Sequence, residues 1–170
     1  MGRINLARVD ERLIHGQVMI TLSQRNGVNS IFVVDDVVAM DKFMREIYMS
    51  AGSRTGQKTI VTTMDRMKSY WHDYNLKDYN CILLTKSVKS MYELVKDGVE
   101  IKELNIGGVA EKDSSKDIRV TKSVYINQED AEMLKEMHQQ YGVENIYFQQ
   151  TPSAEKHSLK EVLGKFNITL

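Results

Sequence analysis

Short apolar runs of β type alternate with helix-period segments along most of this chain, and that alternation limits the fold more than any other feature. The runs are INLARV (4–9), SIFVVDD (30–36), KTIVTT (58–63), YNCILLT (79–85), ELNIGGV (103–109), SVYI (123–126) and NIYFQQ (145–150). Between them the spacing predicts a helix over 88–99, where Val88, Met91, Tyr92, Val95 and Val99 share one face. Segment 40–51 repeats the pattern with Met40, Phe43, Met44, Ile47 and Ala51, and Gly52 is expected to cap its C-terminus. Over 128–141, Leu134, Met137 and Tyr141 fall together, with Asn127 as N-cap and Gly142 as the stop. The methionines recur at core spacing and are read as packing residues, with no cofactor role.

Strands separated by helices bury both faces of a parallel sheet. The expected fold is therefore a three-layer α/β domain: a mostly parallel, open twisted sheet of about seven strands with helices on both faces. Its 170 residues suit one domain, 1–170, rather than two. The runs near 105 and 121 follow one another without a helix, so one edge of the sheet should depart from the alternation. GVAEKDSSKDIR (108–119) reads as a long surface loop. ENIYFQ (144–149) looks like a tag-protease recognition sequence, but its place after a helix stop and before further native-looking chain makes it the last strand.

Charge excludes some functions. Lys plus Arg number 23 and so do Asp plus Glu, which lacks the basic excess of a nucleic-acid footprint. No apolar stretch approaches the roughly 20 residues of a membrane span, and no long apolar signal segment opens the chain. The lone cysteine, Cys81, reads as a small buried hydrophobe and suits a reducing compartment. The expectation is a soluble, cytoplasmic domain.

One stretch departs from core logic. RVDERLIHGQV (8–18) sets Arg8, Asp10, Glu11, Arg12 and His15 at the end of the first strand. In doubly wound sheets, ligands bind where loops leave the carboxyl ends of the strands. A helix starting at Gly16 would aim the N–H groups of Gly16, Gln17 and Val18 at an anion beside His15, most naturally a phosphate. Arg8 and Arg12 offer guanidinium forks for phosphate oxygens. Gly16, without a Cβ, would let a bulky group approach the ring. Imidazole, with a reference pKa of about 6.5, keeps a neutral nitrogen available to attack phosphorus. Asp10 could hold the other ring nitrogen and fix the tautomer. No second His or Cys stands at ligand spacing, so no metal and no cofactor are assigned.

Plainer readings compete at each position. His15 could be a solvated loop residue, Arg8 could end the strand paired to Asp10 or Glu11, and Glu11 could be simply exposed. Asp36 would either orient the loop or form a turn with Asp35. Gly107 and Gly108 would either admit the phosphoryl group close to the backbone or mark a bulge. His72, His138 and His157 read as solvated. A histidine phosphatase or phosphomutase would need Arg where Ile14 stands, and a second histidine at a late strand end. A non-catalytic nucleotide- or sugar-binding module would need a glycine-rich fingerprint that the first turn lacks.

ARVDERLIHGQV (7–18) resembles the active-site segment of the IIB components of the mannose/fructose/sorbose family of bacterial sugar phosphotransferase systems, an Arg-[VI]-Asp-x-Arg-[LF]-Ile-His-Gly-Gln loop matched here without a break. IFVVDDVVAMD (31–41), LNIGGV (104–109) and FQQTPS (148–153) resemble the family's second strand, glycine-bearing strand end and closing segment, so the likeness spans almost the whole chain. The resemblance implies a phosphocarrier. A phospho-IIA partner would supply His15, phosphorylated on Nδ1, and the group would pass to a sugar entering through IIC and IID membrane subunits, to which the protein would be peripherally bound. Arg8 and Arg12 match the loop arginines implied to hold the phosphoryl oxygens. The chain lacks a proline often found near Ala51-Gly52-Ser53, and its GVAEKDSSK loop is less basic than is common in the family. Those departures bear on partner contacts. The sugar is not legible, N-acetylgalactosamine or another hexose fitting equally, and a homo-oligomer is compatible with the reading.

Overall fold

A computed structural model describes residues 1–170. In chain order the elements are β1 (Arg3–Asp10), α1 (Gly16–Ser23), β2 (Ser30–Val34), α2 (Asp36–Met40), α3 (Lys42–Ser53), β3 (Lys58–Thr62), α4 (Met64–His72), β4 (Asn80–Thr85), α5 (Val88–Lys96) and β5 (Glu103–Gly108). There follow β6 (Ile118–Arg119), β7 (Tyr125–Ile126), α6 (Gln128–Gln139), β8 (Asn145–Phe148), β9 (His157–Ser158) and α7 (Leu159–Gly164). The main sheet has seven strands in the order β3-β2-β4-β1-β5-β8-β9. All its pairings are parallel except β8 with β9.

Alternate residues of each strand feed opposite faces. Ala7, Val9, Phe32, Leu83, Leu104 and Ile106 join the larger core under α4–α7. Leu6, Ile31, Val33, Ile82 and Leu84 join the smaller one under α1–α3. No residue of β5 or β8 belongs to that second core. There the sheet carries polar side chains instead: Arg8 against Asn105, and Arg25 with Tyr147 on Glu103. Cys81 is fully buried, and burial pushes its thiol up to about 12.

The three-layer architecture matches the expectation, with local exchanges. The SVYI run leaves the main sheet for a two-stranded hairpin with β6. The seventh place goes to β9, whose two-residue pairing carries no apolar run to announce it. Asn127 caps α6 in a reciprocal box with Asp130, as the sequence suggested. Gly52 does not end α3; it lies within the helix, where a Cβ would collide with Thr59 of β3. The apolar arc of α3 is wider than the sheet edge can cover. Met44, Tyr48 and Ala51 pack inward while Phe43 and Ile47 face solvent; Met40 is not on this helix, because Asp41 ends α2 and caps α3, and it too is exposed, so those three are not core filler.

The strand order positions the site. Strand β1 lies between β4 and β5, and the chain leaves it towards β2 on one side while β5 is added on the other. Its carboxyl end is the switch point of the sheet, the place where loops part and leave a crevice.

Candidate functional site

Asp10, the last residue of β1, is the hub of that crevice. Its carboxylate is only 1% exposed yet accepts from Arg8 Nη2 at 2.9 Å. It also accepts from the Arg12 backbone N–H at 3.0 Å and from Arg12 Nε and Nη2 at 3.2 Å each. His15 Nε2 lies 3.0 Å from its Oδ2. Burial alone would raise the Asp10 carboxyl; the hydrogen bonds from His15 and Arg12 and the charge of Arg8 outweigh it and hold the group well below the usual carboxylate range. An ionised carboxylate only accepts, so the Nε2 facing it is the protonated ring nitrogen. The His15 lone pair then belongs to Nδ1, which has no partner within the chain.

The loop is bent to make this contact. Leu13 N–H closes a turn on the Asp10 carbonyl at 2.9 Å. Leu13 itself has φ +54, which costs a side-chain-bearing residue about 1–2 kcal/mol. Its side chain is fully buried beside Ile14, Val18 and Leu22, and burying a leucine returns about 1.5–3 kcal/mol. The turn holds because its apolar residues are anchored. His15 then sits in extended backbone at the N-cap of α1 but makes no side-chain cap, which leaves its imidazole free for Asp10. Gly16 has φ +51, and a Cβ there would meet nothing within 4 Å. Glycine is called for by the left-handed turn, while the space around it stays open. Gly16 and Gln17 are exposed and Val18 is buried.

Arg8 is not the open fork that the sequence suggested. It is 1% exposed, and both terminal nitrogens are occupied by the protein. Nη1 donates to Asn105 Oδ1 and, at 3.3 Å, to the Gln149 carbonyl; Nη2 donates to the Gln150 carbonyl at 2.7 Å as well as to Asp10. Arg12 differs: it is about half exposed, and its Nη1 has no protein partner. Gly107 is the extra residue where the β1–β5 register slips between Val9 and Asp10, so the bulge reading is what the structure shows. A Cβ at Gly107 would collide with the Arg8 guanidinium, and one at Gly108 would come within 3.0 Å of Asp10 Oδ1. Both glycines therefore make room for protein side chains.

Asp36 does not orient the loop. Its carboxylate accepts from Met64 N at the start of α4, 2.8 Å away, and Asp35 caps α2 through Val38 N at 2.9 Å. Tyr48 of α3 stands on the same side: burial raises its hydroxyl pKa, and the charges of Asp35 and Asp10 add to the effect. A cleft of about 310 Å³ opens beside the carboxylate, lined by Asp10, Glu11, Arg12, Gly108, Ser123 and Gln150. Lys112 pairs with Glu11 at 3.1 Å, linking the long loop to the site, though an exposed pair adds little stability.

Sequence reasoning missed Asn105 and the Gln149 and Gln150 carbonyls. A signal existed for Asn105, an amide in the middle of a buried strand. The carbonyls had none, because every residue carries one. The other histidines lie elsewhere: His72 on Asp97, His138 on the Val143 carbonyl, and His157 on Glu161. Only His72 is exposed; His138 and His157 are half-buried rather than solvated. No group of three His, Cys, Asp or Glu side chains is arranged to hold a metal ion. No helix is long and apolar enough to cross a membrane.

Comparison with known proteins bears on the family and the fold. The family model described as the PTS system sorbose subfamily IIB component matches residues 4–170. A sorbose-specific EIIB component from Klebsiella pneumoniae is 30% identical over 135 residues, 79% of this chain and 80% of the relative. A mannose-specific EIIAB component from Escherichia coli (strain K12) is 30% identical over 134 residues, and the match spans 41% of that longer protein. The crystal structure of manxB from Thermoanaerobacter tengcongensis superposes with a TM-score of 0.88 at 33% identity, covering 98% of each chain. A family match over nearly all its length places this chain among the IIB components of the mannose/fructose/sorbose family of sugar phosphotransferase systems, as one of their phosphocarriers.

Proposed function

We propose that His15 carries the phosphoryl group on Nδ1, taking it from a phosphohistidine of a IIA protein and passing it to a sugar hydroxyl. The observation that carries this reading is the 3.0 Å contact between His15 Nε2 and Asp10 Oδ2. It keeps the ring proton on Nε2 and the lone pair on Nδ1. In the first step the donor N–P bond breaks as an Nδ1–P bond forms. The proton stays on Nε2, so the phosphorylated ring is cationic and Asp10 offsets its charge. In the second step the Nδ1–P bond breaks, the sugar oxygen takes the phosphoryl group while its hydroxyl proton passes to solvent water, and neutral imidazole leaves. A cationic ring is the better leaving group, which makes the same contact serve both directions.

Arg12 holds the transferring oxygens, because its Nη1 is open and its other nitrogens are tied to Asp10. The N–H groups of Gly16, Gln17 and Val18 add the positive end of α1. The fusion of A and B components in the mannose-specific relative supports IIA as the donor. Transport subunits IIC and IID present the sugar, which puts the protein in the cytoplasm at the membrane's inner face. The test is mass. Incubation with phospho-IIA should add one phosphate to the parent and none to a folded His15→Gln variant. Label retained in that variant, or mapped to His72, His138 or His157, would overturn the assignment.

A further inference from the structure

Three buried residues behind His15 cannot meet a partner or a phosphate. Arg8 and Asp10 are each 1% exposed and Asn105 is 2% exposed. They nonetheless form one chain of contacts that ends on the ring: Asn105 Oδ1 receives Arg8 Nη1, Arg8 Nη2 reaches Asp10 Oδ2, and the same Oδ2 faces His15 Nε2. The amide orientation of Asn105 is fixed at its other end, where Nδ2 donates to the Gln149 carbonyl at 3.0 Å. Arg8 Nε is buried without a partner, so the guanidinium is placed by its terminal nitrogens alone. Without Asn105, Nη1 would keep only the Gln149 carbonyl, at a long 3.3 Å.

We propose that Asn105 is a positioning residue for phosphoryl transfer, acting through Arg8 to set how Asp10 presents its carboxylate to His15 Nε2. The proposal rests on His15 as the phosphate carrier. Without Asn105, Nη2 keeps the Gln150 carbonyl and Asp10, but the Nη1 end is held only by the long Gln149 contact, so the guanidinium plane can tilt about Nη2 and the Asp10–His15 hydrogen bond loses its fixed length and angle. Outer hydrogen-bond partners that orient a functional imidazole are worth about 10-fold or more.

The experiment compares the full-length parent with Asn105→Leu, which keeps the size and removes the acceptor, and with Asn105→Asp, which keeps the acceptor. Phospho-IIA to IIB transfer is followed alongside the proton resonance of His15 Nε2–H. Asn105→Leu should lower the transfer rate constant about 10-fold, leave the KM for phospho-IIA unchanged, and weaken or shift the Nε2–H signal. Asn105→Asp should recover most of the rate and the signal. Parental rate and signal in a folded Asn105→Leu variant would overturn the proposal, as would equal losses in both variants, which would make the effect one of packing. If Asn105→Leu does not fold, Asn105→Ser is too short to reach Nη1 and carries the same expectation. Failure of the parent to take up phosphate on His15 would instead sink the underlying reading.

Discussion

His15 Nε2 and Asp10 Oδ2 lie 3.0 Å apart, and the carboxylate in that pair is almost wholly shielded from water. A half-buried ring thus rests on a buried charge. Replacing Asp10 with Asn keeps the shape but removes the charge that offsets a cationic phosphorylated ring. Transfer in Asp10→Asn should fall on the order of 100-fold, the loss typical of one preorganised electrostatic partner. The variant should also lose about 3–5 kcal/mol of stability, because Arg8 would keep a buried charge without its counter-ion. Stopped transfer assays and denaturant titration check the two effects separately; a parental transfer rate would show that the carboxylate charge does not matter.

Arg12→Ala should slow transfer about 100-fold, the loss typical of one preorganised donor, while changing stability little, since the side chain is half exposed. Arg12→Lys should recover only part of the rate, because an ammonium cannot hold Asp10 through two nitrogens and still offer a third. Single-turnover kinetics with phospho-IIA distinguish these outcomes. Full activity in Arg12→Ala would leave the guanidinium a surface residue.

Asp10 also predicts a pH dependence of stability. Its folded pKa is depressed, so its contribution is fully present above the unfolded value of about 4 and is lost as pH falls through the folded value. The parent should lose more stability than Asp10→Asn between neutral and strongly acidic pH. Urea melts of both proteins across that range measure the difference, and parallel curves would refute it.

Transfer should proceed in excess EDTA. Nucleotide kinases need Mg²⁺ to offset the charge of a triphosphate, whereas the donor here is a single phosphoryl group on a protein. Arg12 and the start of α1 supply the positive charge. Transfer abolished by the chelator and restored by Mg²⁺ would show that this charge is insufficient.

The layers of the fold were legible because burial on both faces writes itself as apolar runs, and β1, β2 and β4 carry such runs in plain view. The seventh strand was hidden because His157 and Ser158 pair without any apolar pattern. The 40–51 segment keeps its period only from Phe43 onward, because Asp41 breaks it into α2 and α3, and on α3 the covered face is narrower than the spacing suggests, since a helix at a sheet edge packs on one side only. His15, Asp10 and Arg12 stood out as charges where a strand should end. Arg8 was misplaced because sequence spacing cannot distinguish a guanidinium facing solvent from one turned under the sheet. Its acceptors, Asn105 and the carbonyls of 149 and 150, are remote in the chain and meet it only through the β1–β5–β8 order.

The bulge at Gly107 ties two distant positions into one unit of inheritance. The arginine at position 8 occupies the volume that any side chain at 107 would need. A descendant that enlarges 107 first meets a collision, and one that shortens 8 first leaves a void and takes one cation from the buried Asp10. Each single step passes through a poorer molecule, so the pair can drift only by changing together. A lineage that retains one should retain the other, however far the rest of the strand has wandered.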